Sequence, residues 1–235
     1  MGWWFEYVDC SSAVVYEDND RTMVAEKCIE IVGGNTRNET IELGNHEQSD
    51  SIYGGAFLVN CEVNICGSNF KIADANFLNC KIHVREPISN VQFLESVFER
   101  SVLTGKFIRC SFGFRRGVSQ SPNAYYRNCD FSSAILDACC FFTGDTETVS
   151  WPKWPTITVL NPRQNENDWK SILFPDELKA IRSELFNNEL LSESSNADNA
   201  PLAMTFDVSR YTLTAQEASL EAIRTLFRAK SYIHS

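Results

Sequence analysis

Histidine is scarce. The 235-residue chain has three, His46, His83 and His234. None stands in the spacing of a zinc motif, a nucleophilic relay or a nucleophile elbow. Cys61 and Cys66 with His83 form the one arrangement that suggests a metal, and a five-residue step described below accounts for the cysteine spacing. Long apolar runs are missing too: the Ala56–Val59 run is far below the ~18 residues of a membrane-crossing helix. The opening MGWWFEYVDC lacks the basic segment and apolar stretch of a secretory leader, and Glu6 stands where a myristoylation motif requires Ser or Thr. Positive charge is also short. With 21 Lys and Arg against 31 Asp and Glu, the net charge is −10, which argues against general binding to nucleic acid or an anionic membrane. These absences point to a cytoplasmic protein with no catalytic constellation, no cofactor and no metal.

Cysteine is plentiful, yet its pattern does not suit a disulfide framework. The nine cysteines are odd in number, the chain is not small, and no leader precedes it. Seven of them lie between residues 51 and 145, where they read as small buried hydrophobes.

The stretch Cys129–Asp145, CDFSSAILDACCFFTGD, places Phe131, Leu136 and Phe141 five residues apart. Strands repeat at two and helices near 3.6, so neither explains this period. A small residue stands two positions before each: Cys129, Ala134 and Cys139. Ala124 with Tyr126 gives a fourth unit. Upstream, the loop-like GFRRGVSQSPN of Gly113–Asn123 interrupts the pattern. Before it the signature returns at Val91/Phe93, Ser96/Phe98 and Ser101/Leu103, then slips by one to Gly105/Phe107 and Cys110/Phe112. Ala75/Phe77 and Cys80/Ile82 share a frame, with Ser68/Phe70 earlier. Ser51/Tyr53, Ala56/Leu58 and Cys61/Val63 form another short run. A fixed period of this kind signals a solenoid.

Composition divides the chain the same way. Eleven of sixteen Phe lie in 51–145, and all five Trp lie outside it. The expected organisation is therefore a β-rich N-terminal cap over 1–50, a solenoid over 51–145, and a helical C-terminal capping region over 146–235. Met23–Val32 and Thr40–Leu43 read as paired strands around a Gly33-Gly34-Asn35 turn. Thr156–Leu160 reads as a strand, and Leu178, Ile181 and Leu185 have helical spacing. Ser192–Ala200 is a polar linker. Thr214–Glu217 is a capping box before Leu220, Ile223, Leu226 and Phe227. These last side chains are candidates for capping the solenoid or for pairing two copies as a homodimer.

The small-x-large unit resembles the pentapeptide-repeat family, clearest at Ala75-Asn76-Phe77, Cys129-Asp130-Phe131 and Ser68-Asn69-Phe70. The resemblance implies a mainly β fold, a right-handed parallel β-helix with four units to each square coil. It also implies a bacterial protein that works by binding. The best-known members imitate DNA against topoisomerases. A rod of roughly five coils is only about 25 Å long, and residues 51–145 carry eight acids against nine bases, so a DNA mimic is the secondary expectation. An enzyme with a site on the flanks is another. The leading one is a non-enzymatic protein-binding module that shields or sequesters one partner, as an immunity or target-protection protein does. Its candidate partner-binding residues are Glu17, Asp18 and Asp20, in a segment 1–50 that holds eleven acids and three bases, and Arg115 and Arg116 in the interrupting loop.

Overall fold

A computed structural model of the chain describes residues 16–18, 21–23, 28–45, 49–93, 95–114, 124–173, 200–211 and 217–235. The architecture is mainly β: a parallel solenoid of stacked coils. Its second wall has five strands, Asn35–Arg37, Ala56–Val59, Ala75–Leu78, Val97–Glu99 and Tyr125–Arg127, each paired in parallel with the next. The chain thus goes round four times between the first of these strands and the last. The third wall stacks Thr40–Leu43, Glu62–Ile65, Lys81–Val84 and the start of Val102–Ile108.

The five-residue signature marks the inward residues. Phe77, Phe98, Phe107, Phe112, Phe131 and Phe141 are all buried. Because parallel register sets each strand over its counterpart one turn away, their rings stack. Phe77 lies on Phe98 at 4.9 Å, and Phe112 lies between Phe93 at 5.0 Å and Phe141 at 4.7 Å, each pair with nearly parallel rings. Such pairs add stabilisation beyond simple burial. Trp151 closes this column, 5.0 Å from Phe141 and stacked at 6.1 Å on Phe131.

The small position has a second job. Cys61, Cys80, Ser101 and Cys129 form one internal column. Each donates its S–H or O–H to a wall-two carbonyl one turn away: Thr36 at 3.5 Å, Leu58 at 3.2 Å, Phe77 at 3.1 Å and Phe98 at 3.2 Å. Cysteine is favoured here because it is small, apolar and still a weak donor. Burial pushes the thiols of Cys80 and Cys129 up to about 11, which keeps them protonated and unreactive.

Three expectations need correction. The first turn of the solenoid begins inside the segment assigned to an N-terminal cap. Glu30–Val32 and Thr40–Leu43 do not pair with each other; each pairs in parallel with the following turn. Gly33 and Gly34, both at positive φ, turn a coil corner and not a hairpin. Next, the frames at Ser51/Tyr53 and Ser68/Phe70 are displaced. Ile52 and Ile72 point inward, and Asp50 takes the small position before Ile52. This carboxylate is buried because its oxygens accept the backbone N–H groups of Ile29 at 2.7 Å and Gly44 at 2.6 Å. Finally, the described part of the C-terminal region is not mainly helical. Thr156–Leu160, Ala203–Asp207 and Ile233–His234 add three antiparallel strands beyond Cys139–Phe141. A short helix α1 spans Glu166–Lys170 and a twelve-residue helix α2 spans Glu217–Arg228. Ile223 and Phe227 of α2 belong to one buried cluster with the chain's own Cys140, Val159 and Met204. The helix expected around Leu178–Leu185 lies outside the described residues, as does most of the polar linker.

The antiparallel strands are tied to the coil by a buried pair of acids. The backbone N–H of Asp207 donates to Asp137 Oδ1 at 3.3 Å, and Lys106 Nζ stands 3.9 Å from Asp207 Oδ2. The one-residue frame slip also has a physical form. Val102–Ile108 runs unbroken from the third wall into the fourth, pairing first with Lys81–Val84 and then with Ile88–Ser89 and Ala134–Asp137. Gly105 makes the bend at φ +98°, with the Val84 carbonyl oxygen 2.1 Å from where a Cβ would sit.

Two stability outcomes follow from this interior. Gly105→Ala is expected to cost roughly 2 kcal/mol or more, from positive φ and the clash with Val84, read as a lowered urea midpoint. Tyr126 takes the place of a phenylalanine in the aromatic interior, and its buried hydroxyl has no hydrogen-bond partner among the described residues. Tyr126→Phe is therefore expected to raise stability by about 1 kcal/mol, and an unchanged or lowered midpoint would refute that.

Candidate functional site

The outer surface of the second wall is the most developed exposed feature of the coil. Side chains alternate along each strand, so Phe57, Val59, Leu78, Val97 and Tyr125 point outward. Phe57 is 42% exposed, Val59, Leu78 and Tyr125 are half-buried, and Val97 is nearly covered. Together with Asn76 they make a flat, partly aromatic strip on a rigid sheet. One long edge of it is the corner into the third wall. Asn38, Asn60, Asn79, Arg100 and Asn128 occupy that corner, all with φ between 51° and 56°. Asparagine tolerates this left-handed conformation better than most residues. The first three also bond to one another, Asn60 Nδ2 to Asn38 Oδ1 and Asn79 Nδ2 to Asn60 Oδ1, each at 3.3 Å.

A fixed charged group terminates the strip. Glu99 accepts from the Tyr125 hydroxyl at 3.0 Å and from Arg127 Nη2 at 3.0 Å, with Arg100 at 3.7 Å. The Arg127 guanidinium also lies over the Tyr125 ring at 5.3 Å, a favourable cation–π placement. The Tyr125 hydrogen bond, followed by Arg127, holds the Glu99 carboxyl below its ordinary value. Burial and then Glu99 push the Tyr125 phenol up. The arrangement presents two arginines and a tyrosine in a set geometry, a residue mix common where proteins bind one another.

The third wall carries a polar surface. Arg85 bonds Glu42 at 2.8 Å across the intervening strand, over a nearly covered Asn64. His83 Nδ1 lies 2.8 Å from Thr104 Oγ1. Cys61 is inside the coil and His83 outside the same wall, so the sheet separates the two residues whose sequence spacing suggests a metal. Among the described residues no three His, Cys, Asp or Glu side chains gather into a cation-binding group. Among them, too, no helix is long and apolar enough to cross a membrane.

The sequence-derived candidates fall elsewhere. Glu17 and Asp18 lie in a two-stranded antiparallel hairpin, Tyr16–Asp18 with Arg21–Met23, that joins none of the other sheets. Asp20, Arg115 and Arg116 are outside the described residues. The second-wall strip was missed because its residues are the x positions of the repeat. Their common signal is that Phe57, Leu78, Val97 and Tyr125 are apolar where a solvated wall has polar residues.

Compared with known proteins, the chain matches no family model, no curated protein and no solved structure.

Tyr125→Phe removes the largest cause of the Glu99 shift. The Glu99 carboxyl is expected to titrate closer to the ordinary glutamate value, followed by carboxyl carbon resonances across an acid titration. The sign is fixed: a depressed folded-state value means that the interaction stabilises above the ordinary carboxylate range. That stabilisation fades as pH falls through the folded value. An unmoved Glu99 would show that Arg127 alone holds it.

Proposed function

We propose that this chain is a non-enzymatic protein-binding module that shields or sequesters one partner, as an immunity or target-protection protein does. The observation that supports it is the second-wall strip: an apolar and aromatic surface ending in the Tyr125–Glu99–Arg127 group, set on strands that the stack holds rigid. A preformed surface loses little freedom on association, so more of its contact energy remains as affinity.

We further read the coil as a diverged pentapeptide-repeat solenoid. What supports this is the inward small-x-large unit and the turn length. Along the second wall Thr36, Leu58, Phe77, Phe98 and Tyr126 stand in register, so successive turns take 22, 19, 21 and 28 residues. A regular coil of four five-residue units takes twenty. The long last turn contains the Gly113–Asn123 interruption. Arg115 and Arg116 in it, and the acidic Glu17, Asp18 and Asp20, are charges that would speed encounter with a partner more than they set its affinity.

The test compares wild type with Phe57→Asp and Leu78→Asp in pull-downs from native lysate at two salt concentrations, followed by titration of the retained protein. Each substitution is expected to weaken binding at least tenfold, about 1.4 kcal/mol, with an unchanged thermal midpoint. A partner held equally well by both variants would remove the strip from the interface.

A further inference from the structure

A cleft of about 440 Å³ opens beside α2, lined by Trp154, Pro155, Val208, Leu220, Glu217, Glu221 and Arg224. It lies on the C-terminal cap, away from the second-wall strip. We propose that this cleft receives a lysine side chain from a protein partner. The inference rests on the reading of the chain as a protein-binding module.

Three features favour an alkylammonium. The apolar part of the lining comes from Val208, Leu220, Pro155 and the Trp154 ring, which suits a four-carbon stem. The ring already accepts a cation: the Arg224 guanidinium lies 5.5 Å from its centroid. The charges then leave one carboxylate over. Arg224 is paired with Glu221 at 3.3 Å, whereas among the described residues no ion pair or side-chain hydrogen bond engages the exposed Glu217. One turn of helix separates Glu217 from the Glu221–Arg224 pair, so all three share one side of α2. The described lining residues are thus net −1, an apolar slot with the Glu217 carboxylate at its rim. A lysine places its stem in the slot and its ammonium at Glu217. An anion would meet two carboxylates, and an uncharged chain would leave the Glu217 carboxylate partly desolvated without compensation.

The test uses small probes, so it does not depend on knowing the partner. Nα-acetyl-lysine methylamide and its uncharged isostere, Nα-acetyl-norleucine methylamide, are titrated into the full ¹⁵N-labelled chain. The Trp154 indole N–H resonance, assigned with Trp154→Phe, is followed. The lysine probe is expected to shift this resonance saturably, and the norleucine probe to bind at least about fivefold more weakly. Glu217→Gln, an exposed change that leaves the fold intact, is expected to reduce lysine-probe affinity at least about threefold. Equal binding of the two probes, no effect of Glu217→Gln, or no shift at Trp154 would each overturn the assignment. Such a failure is separate from the partner titrations with Phe57 and Leu78 variants, which bear on the second-wall reading alone.

Discussion

The hydrogen bonding between strands one turn apart governs this molecule. Each wall is one strand deep, so every backbone group must find its partner in the coil above or below. That requirement fixes parallel register, and parallel register stacks like on like. Phe112 has Phe93 on one side and Phe141 on the other because their strands are neighbours in one sheet. The same rule accounts for the internal column of Cys61, Cys80, Ser101 and Cys129. At this corner a side chain must be small enough to let the chain turn, and it must answer a carbonyl of the adjacent turn. Cysteine and serine do both. The buried Asp50, which takes two backbone N–H groups, solves the converse problem where donors are left over.

Much of this was legible in the sequence where the inward side chains are large. From Ala75 onward most inward aromatic or aliphatic residues stand at a five-residue position; Val84 and Ile88 are inward without belonging to a unit. In the earlier turns the legibility fails for a definable reason. At Asp50–Tyr53 the inward residue is Ile52 and the small position holds an aspartate, so a pattern of small-x-aromatic picks out Ser51 and Tyr53 on the opposite side. Because side chains alternate, a one-residue error reverses every assignment in the strand. The first turn was hidden by Gly33-Gly34, which signals a hairpin as readily as a coil corner.

The C-terminal cap was harder to read. Thr156–Leu160 is β-branched and recognisable alone, but its neighbour Ala203–Asp207 is more than forty residues away. No local pattern announces that pairing. The amphipathic spacing of α2 was clear, and so was its apolar face; what that face meets was not, because its counterpart is the outer surface of strands from three parts of the chain. The two candidate surfaces share this difficulty. The second-wall strip is assembled from single residues about twenty positions apart, and the cleft draws on Trp154, Val208 and α2.

A parallel coil whose turns are nearly alike has no intrinsic reason to stop. Its last turn is a template on which another turn, or another molecule, can condense. Here the strand after Cys139–Phe141 runs the other way, and the outermost member of that sheet, Ile233–His234, is only two residues long. Reversal and brevity together deny an incoming coil both the polarity and the length it would copy. The C-terminal strands therefore act as a terminator: along this sheet the length of the rod is written into the chain, and the solenoid is protected from fibre growth at the end where its aromatic column is most continuous.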